Sequence, residues 1–179
     1  RAPRAQVGGG GGPPFAVEGG GQNAGAALLE RMGYHVTMGA CLKELYDFHG
    51  YLAGDAKKRA EDLNRMFADP EIKAVFCVRG GYGSAHIMKY LDYDLIRKNP
   101  KIFVGYSDLT NLHTVLNQIC GLVTFHGPMV VSNMLAGYDD YSRESLRRAM
   151  EMEPGQEMEF LNPPEKPAVG VLRKGQARG

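Results

Sequence analysis

The run Ala74-Val75-Phe76-Cys77-Val78-Arg79-Gly80-Gly81-Tyr82-Gly83-Ser84 opens with five apolar residues and stops at an arginine followed by three glycines in four positions. A short apolar run bounded by turn residues is the pattern of a strand buried on both faces, as in a parallel sheet. Working outward, Ile102 to Val104 and Leu122 to Phe125 repeat the pattern, and His35 to Met38 is a briefer strand candidate. Helical spacing fills the gaps. Ala26, Leu28, Leu29 and Met32 form an apolar face that stops at Gly33. Asp55 is placed to cap a helix with Ala56, Ala60, Leu63 and Phe67 on one side, ending before Pro70. Ser84 is placed to cap a short helix to about Tyr90, and Ser107 to Ile119 carries Leu109, Leu112, Leu116 and Ile119 on one face. Residues 39–54 read as a loop, and a last helix is expected from Ser142 to about Met152. Short strands alternating with helices imply βαβ units: an α/β fold with a parallel sheet and flanking helices, Rossmann-like or flavodoxin-like.

Composition limits what such a domain can do. The 179 residues are about one domain, 44% hydrophobic and 23% charged, as in an ordinary globular chain. Twenty-one Lys plus Arg against 20 Asp plus Glu leave a net charge of +1, no field for a phosphate backbone or an anionic membrane, so neither nucleic acid nor membrane is expected as a partner. No apolar run approaches the roughly 18 residues that span a bilayer, and the N-terminus lacks the apolar core of a signal peptide, so the expected location is cytoplasmic. Cys41, Cys77 and Cys120 are too few for a disulfide framework and read as buried thiols; no spacing suggests a metal, and no cofactor is expected.

Domain organisation follows from the ends. Nine of the 24 glycines fall in residues 1–25, beside Pro13 and Pro14. Glycine entropy and missing proline donors argue against a strand there, so 1–25 is expected to be a disordered tail. A phosphate-binding loop would need a Gly-Lys-Ser/Thr ending or a preceding strand, and neither is visible. Residues 26–153 form the α/β domain, and 154–179, with Pro154, Pro163, Pro164 and Pro167, read as a linker toward a second domain that is absent.

Chemistry concentrates where strands meet helices. Phe103-Val104-Gly105-Tyr106-Ser107-Asp108 puts a serine at a sharp strand-to-helix junction, the geometry of a nucleophile elbow, with the helix N-terminus offering N–H groups to a developing oxyanion. Spacing alone leaves a second reading open, in which Ser107 only caps its helix. Arg79-Gly80-Gly81-Tyr82-Gly83 leaves the same sheet edge: a glycine N–H there could be a second oxyanion donor, and Arg79 could meet a substrate carboxylate, or the stretch is a tight turn with a surface arginine. A serine needs a base. His113, six residues on, lies roughly 9 Å along the helix axis and about 120° around it, out of reach. His126, after the last strand, is a possible base or substrate contact, but no carboxylate is set to orient it, so the triad is incomplete within the chain. His35, His49 and His86 default to surface or structural roles.

Three stretches carry a family resemblance: Val78-Arg79-Gly80-Gly81-Tyr82-Gly83-Ser84, Asn99-Pro100-Lys101-Ile102-Phe103-Val104-Gly105-Tyr106-Ser107-Asp108 and Gly121-Leu122-Val123-Thr124-Phe125-His126-Gly127-Pro128-Met129. Together they resemble the LD-carboxypeptidases, the serine peptidases that include muramoyltetrapeptide carboxypeptidases and microcin C immunity peptidases; Gly50 to Gly54 and Arg59 to Asn64 fit too. The resemblance implies a Ser-His-Glu triad with Ser107 as nucleophile and the Asp108 N–H and one from Gly80 or Gly81 as oxyanion donors; Arg79, Tyr82 and His126 are the expected substrate contacts. It implies removal of a terminal D-alanine from a murein tetrapeptide in peptidoglycan recycling, by a homodimer in the full-length form. Family members supply the Glu and His from a C-terminal domain, so the chain is expected to be the nucleophile-bearing half, with little activity alone. They usually begin with a strand ending in an Ala-Pro-Ser type loop, which residues 1–25 lack. The alternatives are an immunity peptidase cutting a peptide-nucleotide amide and a non-catalytic domain holding a small anionic ligand.

Overall fold

A computed structural model describes residues 4–8, 21–43, 52, 54–153 and 155–157. The described strands form one parallel sheet. They are β1 (Arg4–Gly8), β2 (His35–Met38), β3 (Ala74–Cys77), β4 (Ile102–Gly105) and β5 (Phe125–His126), in the order β2-β1-β3-β4-β5. Every pairing is parallel, with Phe76 opposite Val104 and Gly105 opposite His126. That is the flavodoxin-like order, in which the sequence of strand addition reverses between β1 and β3 while all strands stay parallel, and loops at the carboxyl edge form the ligand crevice.

Period-2 alternation sorts the strand side chains into two cores. Val75, Cys77 and Phe103 pack with Leu63, Phe67, Leu112 and Leu116 on one face, while Phe76, Val78 and Val104 pack with Leu29, Val130, Met134 and Leu146 on the other. The first face is covered by α2 (Ala56–Ala68), α3 (Ser84–Ile87), α4 (Tyr93–Lys98) and α5 (Thr110–Gln118). The second is covered by α1 (Gly21–Arg31), a π turn at Val130–Met134 running into α6 (Leu135–Gly137), and α7 (Asp140–Met150). Asp55 caps α2 as its sequence suggests, its Oδ1 accepting the Lys58 N–H at 2.9 Å. All three cysteines are buried thiols, none of them in a disulfide.

Several expectations need correcting. Residues 1–25 do hold a strand: β1 lies between β2 and β3, where partners on both sides supply the hydrogen bonds that its own composition does not favour, and α1 already begins at Gly21. The rest of that tract, residues 44–51 and 53 of the expected loop, and nearly all of 154–179 lie outside the described residues. Ser84 does not cap α3; Gly83 does, at φ 115, where a side chain would be strained. Ser142 does not start α7; Asp139 caps it, accepting the Ser142 N–H at 2.8 Å, and the helix ends at Met150. The last strand is only Phe125–His126, and α4, capped by Asp92, was not anticipated.

Phe103 is fully buried between sheet and helices, so Phe103→Ala should cost about 3–5 kcal/mol of unfolding free energy. Val123, 76% exposed, gives the contrast: Val123→Ala should stay within about 0.5 kcal/mol. Urea titration of both variants checks the pair.

Candidate active site

The register of β3 against β4 sends their following loops out side by side at the carboxyl edge of the sheet. β4 ends at Gly105, Tyr106 stays extended, and Ser107 opens a 3-10 turn (Ser107–Leu109) that feeds α5. Ser107 has φ 61, the one non-glycine residue among those described with a positive φ. An L-residue in the left-handed region costs roughly 1–2 kcal/mol, so the surrounding packing has to hold it there. Leu109, with no exposed surface, anchors the turn from below. The Ser107 side chain is exposed, and the cap position belongs to Tyr106, which makes no side-chain cap bond. Capping therefore does not account for this serine.

Gly80 lies against it. A Cβ built on Gly80 would sit 3.2 Å from Ser107 Cβ, 3.3 Å from Met129 Cε and 3.5 Å from Ser107 Oγ, so only glycine fits without displacing the serine or the methionine. Gly81 continues the turn, exposed and at φ 129. Arg79 is half-buried at the start of the loop. Tyr82 points outward, 55% exposed, its hydroxyl 3.2 Å from His86 Nε2. Beneath the loop, the buried Arg59 donates from Nη1 to the Gly83 carbonyl at 3.2 Å, while its Nε and Nη2 have no partner among the described residues. Burial pulls the Arg59 pKa below its usual value, against the opposing pull of Cys41, Asp108 and Asp55.

The Asp108 carboxylate faces the glycine loop, Oδ2 accepting the Ser84 N–H at 2.8 Å. No local pattern points to this bond, because Ser84 and Asp108 are separated by a helix pair and a strand. His113 was expected out of reach of Ser107, and it turns to the strand end instead: its Nε2–H donates to the Gly105 carbonyl at 2.8 Å. That commits Nε2 as a donor and leaves Nδ1 buried without a partner among the described residues. His126 is exposed at the end of β5, its ring 5.8 Å from that of Tyr106 and 6.2 Å from that of His113. It borders a cavity of about 670 Å³ between β5 and α7 that includes Asn133, Tyr138 and Ser142.

So Ser107, Asp108 and Gly80 come together, Gly81 and Arg79 adjoin them, His126 stands at the neighbouring strand end, and Tyr82 faces away toward His86. The arrangement can present a hydroxyl to a carbonyl beside the backbone amides of the glycine loop and the Ser107 turn. Among the described residues no cluster of three or more His, Cys, Asp or Glu is placed to hold a metal, and no helix is long and apolar enough to cross a membrane.

Two measurements test this geometry. Glycine adopts φ 61 without strain, so Ser107→Gly should be about 1 kcal/mol more stable than Ser107→Ala in thermal unfolding; equal stability would deny the left-handed conformation. Burial holds the His113 pKa below its usual 6.5, with the Gly105 bond opposing and His126 adding to the depression. The unfolded chain then takes up a proton that the folded chain refuses, so stability is full above 6.5 and falls as pH drops from 6.5 toward the folded value. Urea unfolding between neutral and mildly acid pH should show that loss, and His113→Gln, which keeps a donor without titrating, should flatten it.

Known proteins provide the last observation. The LD-carboxypeptidase N-terminal domain model matches residues 15–127. The probable murein peptide carboxypeptidase of Bacillus subtilis is 46% identical over 152 residues, 85% of this chain but 46% of that protein. The microcin C7 self-immunity protein MccF of Escherichia coli is 37% identical over 107 residues, 60% of this chain and 30% of that one. The crystal structure of an MccF-like protein from Bacillus anthracis superposes with a TM-score of 0.72 at 32% identity, covering 83% of this chain and 44% of that chain. The chain thus spans less than half the length of these relatives. Sequence motifs, sheet order and the matched family model agree, and the chain belongs to the LD-carboxypeptidase family, through its N-terminal domain.

Proposed function

We propose that this chain is the nucleophile-bearing part of a serine LD-carboxypeptidase that removes the terminal D-alanine from a murein tetrapeptide. The observation that carries the reading is Ser107: exposed, held at φ 61 on a strand-to-helix turn, and packed against the Gly80 backbone. A residue keeps a strained conformation of this kind where presentation of its side chain matters. Ser107 Oγ attacks the amide carbonyl carbon, its proton passing to a base, and the carbonyl oxygen becomes an oxyanion. The Asp108 N–H and a glycine-loop N–H, from Gly80 or Gly81, stabilise that charge. Collapse of the intermediate breaks the C–N bond, the amine of D-alanine leaves with the proton, and water then hydrolyses the acyl-serine and frees Ser107. Arg79 and His126 flank the serine where the substrate carboxylate and peptide would lie. Tyr82, exposed at the loop tip, would contact the substrate from further out.

We infer that the base and its carboxylate partner lie outside the described residues. His113 has its Nε2 engaged by Gly105, and neither His113 nor His126 hydrogen-bonds Ser107. We assign both groups to a C-terminal domain beyond this chain, which by itself then lacks a complete triad. The likeness to MccF supports a second reading, in which the same serine cuts a peptide-nucleotide amide.

The test uses the full-length protein with a murein tetrapeptide and with a peptidyl-nucleotide amide. D-Alanine release, lowered in kcat on the order of 10⁴- to 10⁶-fold by Ser107→Ala with the fold intact, is the expected result. Cleavage of the nucleotide amide alone would favour the second reading. Turnover retained by Ser107→Ala, or normal rates from residues 1–179 alone, would overturn the proposal.

A further inference from the structure

The assigned site has no use for Ser84, a hydroxyl with no exposed surface. Its bonds explain it. Ser84 Oγ donates to the Asp108 carbonyl at 2.5 Å and accepts from Asn111 Nδ2 at 3.0 Å, so the hydroxyl is fully committed and is not itself a nucleophile. Its backbone N–H goes to Asp108 Oδ2 at 2.8 Å, and Asn111 Nδ2 also reaches the Asp108 carbonyl at 3.0 Å. Ser84 is the first residue after the glycine loop and Asp108 the first after Ser107. The network therefore joins the two loops at the residue that follows the glycine loop and the residue that follows Ser107.

We propose that Ser84 and Asn111 are positioning residues, a clamp that sets the gap between the glycine loop and the Ser107 turn; the role rests on the reading of Ser107 as nucleophile. Asp108 is held at two points, by its carboxylate and by its carbonyl, so the Cα between them, and the N–H that it carries, cannot rotate away. The loop Gly80–Gly83 contains two glycines at positive φ and has little stiffness of its own. It is fixed at its far end by two contacts: Arg59 on the Gly83 carbonyl and Asp108 on the Ser84 N–H. With the clamp closed, Gly80 stays against the Ser107 side chain, and the backbone amides face one point without rearrangement when charge develops. The carboxylate of Asp108 thus serves the glycine loop while its N–H serves the oxyanion, two tasks for one residue.

The test compares the full-length parent with Ser84→Ala, with Ser84→Thr, which retains the hydroxyl, and with Asn111→Ala, an exposed position whose change leaves the core untouched. Three readouts are taken: the rate at which a fluorophosphonate labels Ser107, kcat and KM on murein tetrapeptide, and hydrogen exchange of the peptide covering residues 80–84. Displacement of a reacting group by about 1 Å can cost up to about 100-fold, so Ser84→Ala should label roughly 10- to 100-fold more slowly. Asn111→Ala should slow labelling in the same direction, both should lower kcat with KM within about twofold, and both should speed exchange at 80–84; Ser84→Thr should recover most of the rate. Labelling and kcat within twofold of the parent in Ser84→Ala and Asn111→Ala, even with lowered melting temperatures, would overturn the clamp and leave the nucleophile reading standing. A parent that does not label at all would overturn the nucleophile reading and this role with it.

Discussion

Parallel pairing of β3 with β4 is the constraint from which the site follows. With Phe76 opposite Val104, both strands finish at one edge and their loops must leave side by side in the same direction. Two loops leaving adjacent parallel strands are about 5 Å apart at their roots, the spacing of the strands themselves. At that distance one of them has to be nearly free of side chains, and Gly80 is where this requirement falls: the space a Cβ would need is held by Ser107 and Met129. The other loop can then carry a side chain, and the abrupt change from extended Tyr106 to the turn at Ser107 throws it outward at φ 61. The strain there is offset by buried neighbours, Phe103 and Val104 before it and Leu109 and Leu112 after it, each without exposed surface.

The polar residues buried in the described structure share a pattern. Arg59, Asp62 and Ser84 are the three, and each has its partner in a connecting segment or turn. Asp62 accepts the N–H groups of Ala40 and Cys41 at 3.2 Å each and is bonded to Arg65; Arg59 holds Gly83; Ser84 holds Asp108. Arg59 and Asp62, three residues apart, project from one side of α2, so that helix is both a cover for the sheet and a platform for the loops at its edge. Strands and helices satisfy their own backbone groups, whereas loops do not, and a buried side chain that bonds a loop carbonyl or amide fixes a conformation that apolar packing could not specify. The unpartnered Arg59 nitrogens show the cost accepted for that contact.

How much of this was legible in the sequence depended on range. Local signals were read well: the apolar runs at 74–78 and 102–104, Asp55 as a cap, and the serine at a strand-to-helix junction need only a few residues each. Signals that depend on a distant partner were not. β1 is a strand because β2 and β3 flank it, and the glycine-rich composition beside it argued the other way. Ser84 looked like a cap because cap residues and buried hydroxyls are the same residue types, and only Asp108, 24 positions later, tells them apart. For α4, Asp92 before an apolar-and-charged stretch and Pro100 after it were available signals, but six residues are too few to show a period.

The histidines bear on how the chemistry is divided. A serine hydroxyl is a poor nucleophile until a base takes its proton, and neither His113 nor His126 hydrogen-bonds Ser107. His113 uses its Nε2–H to fix the carbonyl of Gly105, two residues before the serine, and burial favours its neutral form. As a neutral donor it stabilises the end of β4 at the point where the chain must reverse into the elbow, and its basic nitrogen, Nδ1, is buried with no partner among the described residues. His126 is exposed at the next strand end, facing the rings of Tyr106 and His113. Under the proposed reading, what the described residues assemble is a nucleophile and a set of amide donors on a rigid sheet edge. These are the parts of an acyl-transfer site that demand precise backbone geometry, and the parallel sheet edge fixes them together with the buried side chains that hold its loops. A base needs only to reach the hydroxyl from the open side, so it can come from a separate structural unit without disturbing the register on which the donors depend.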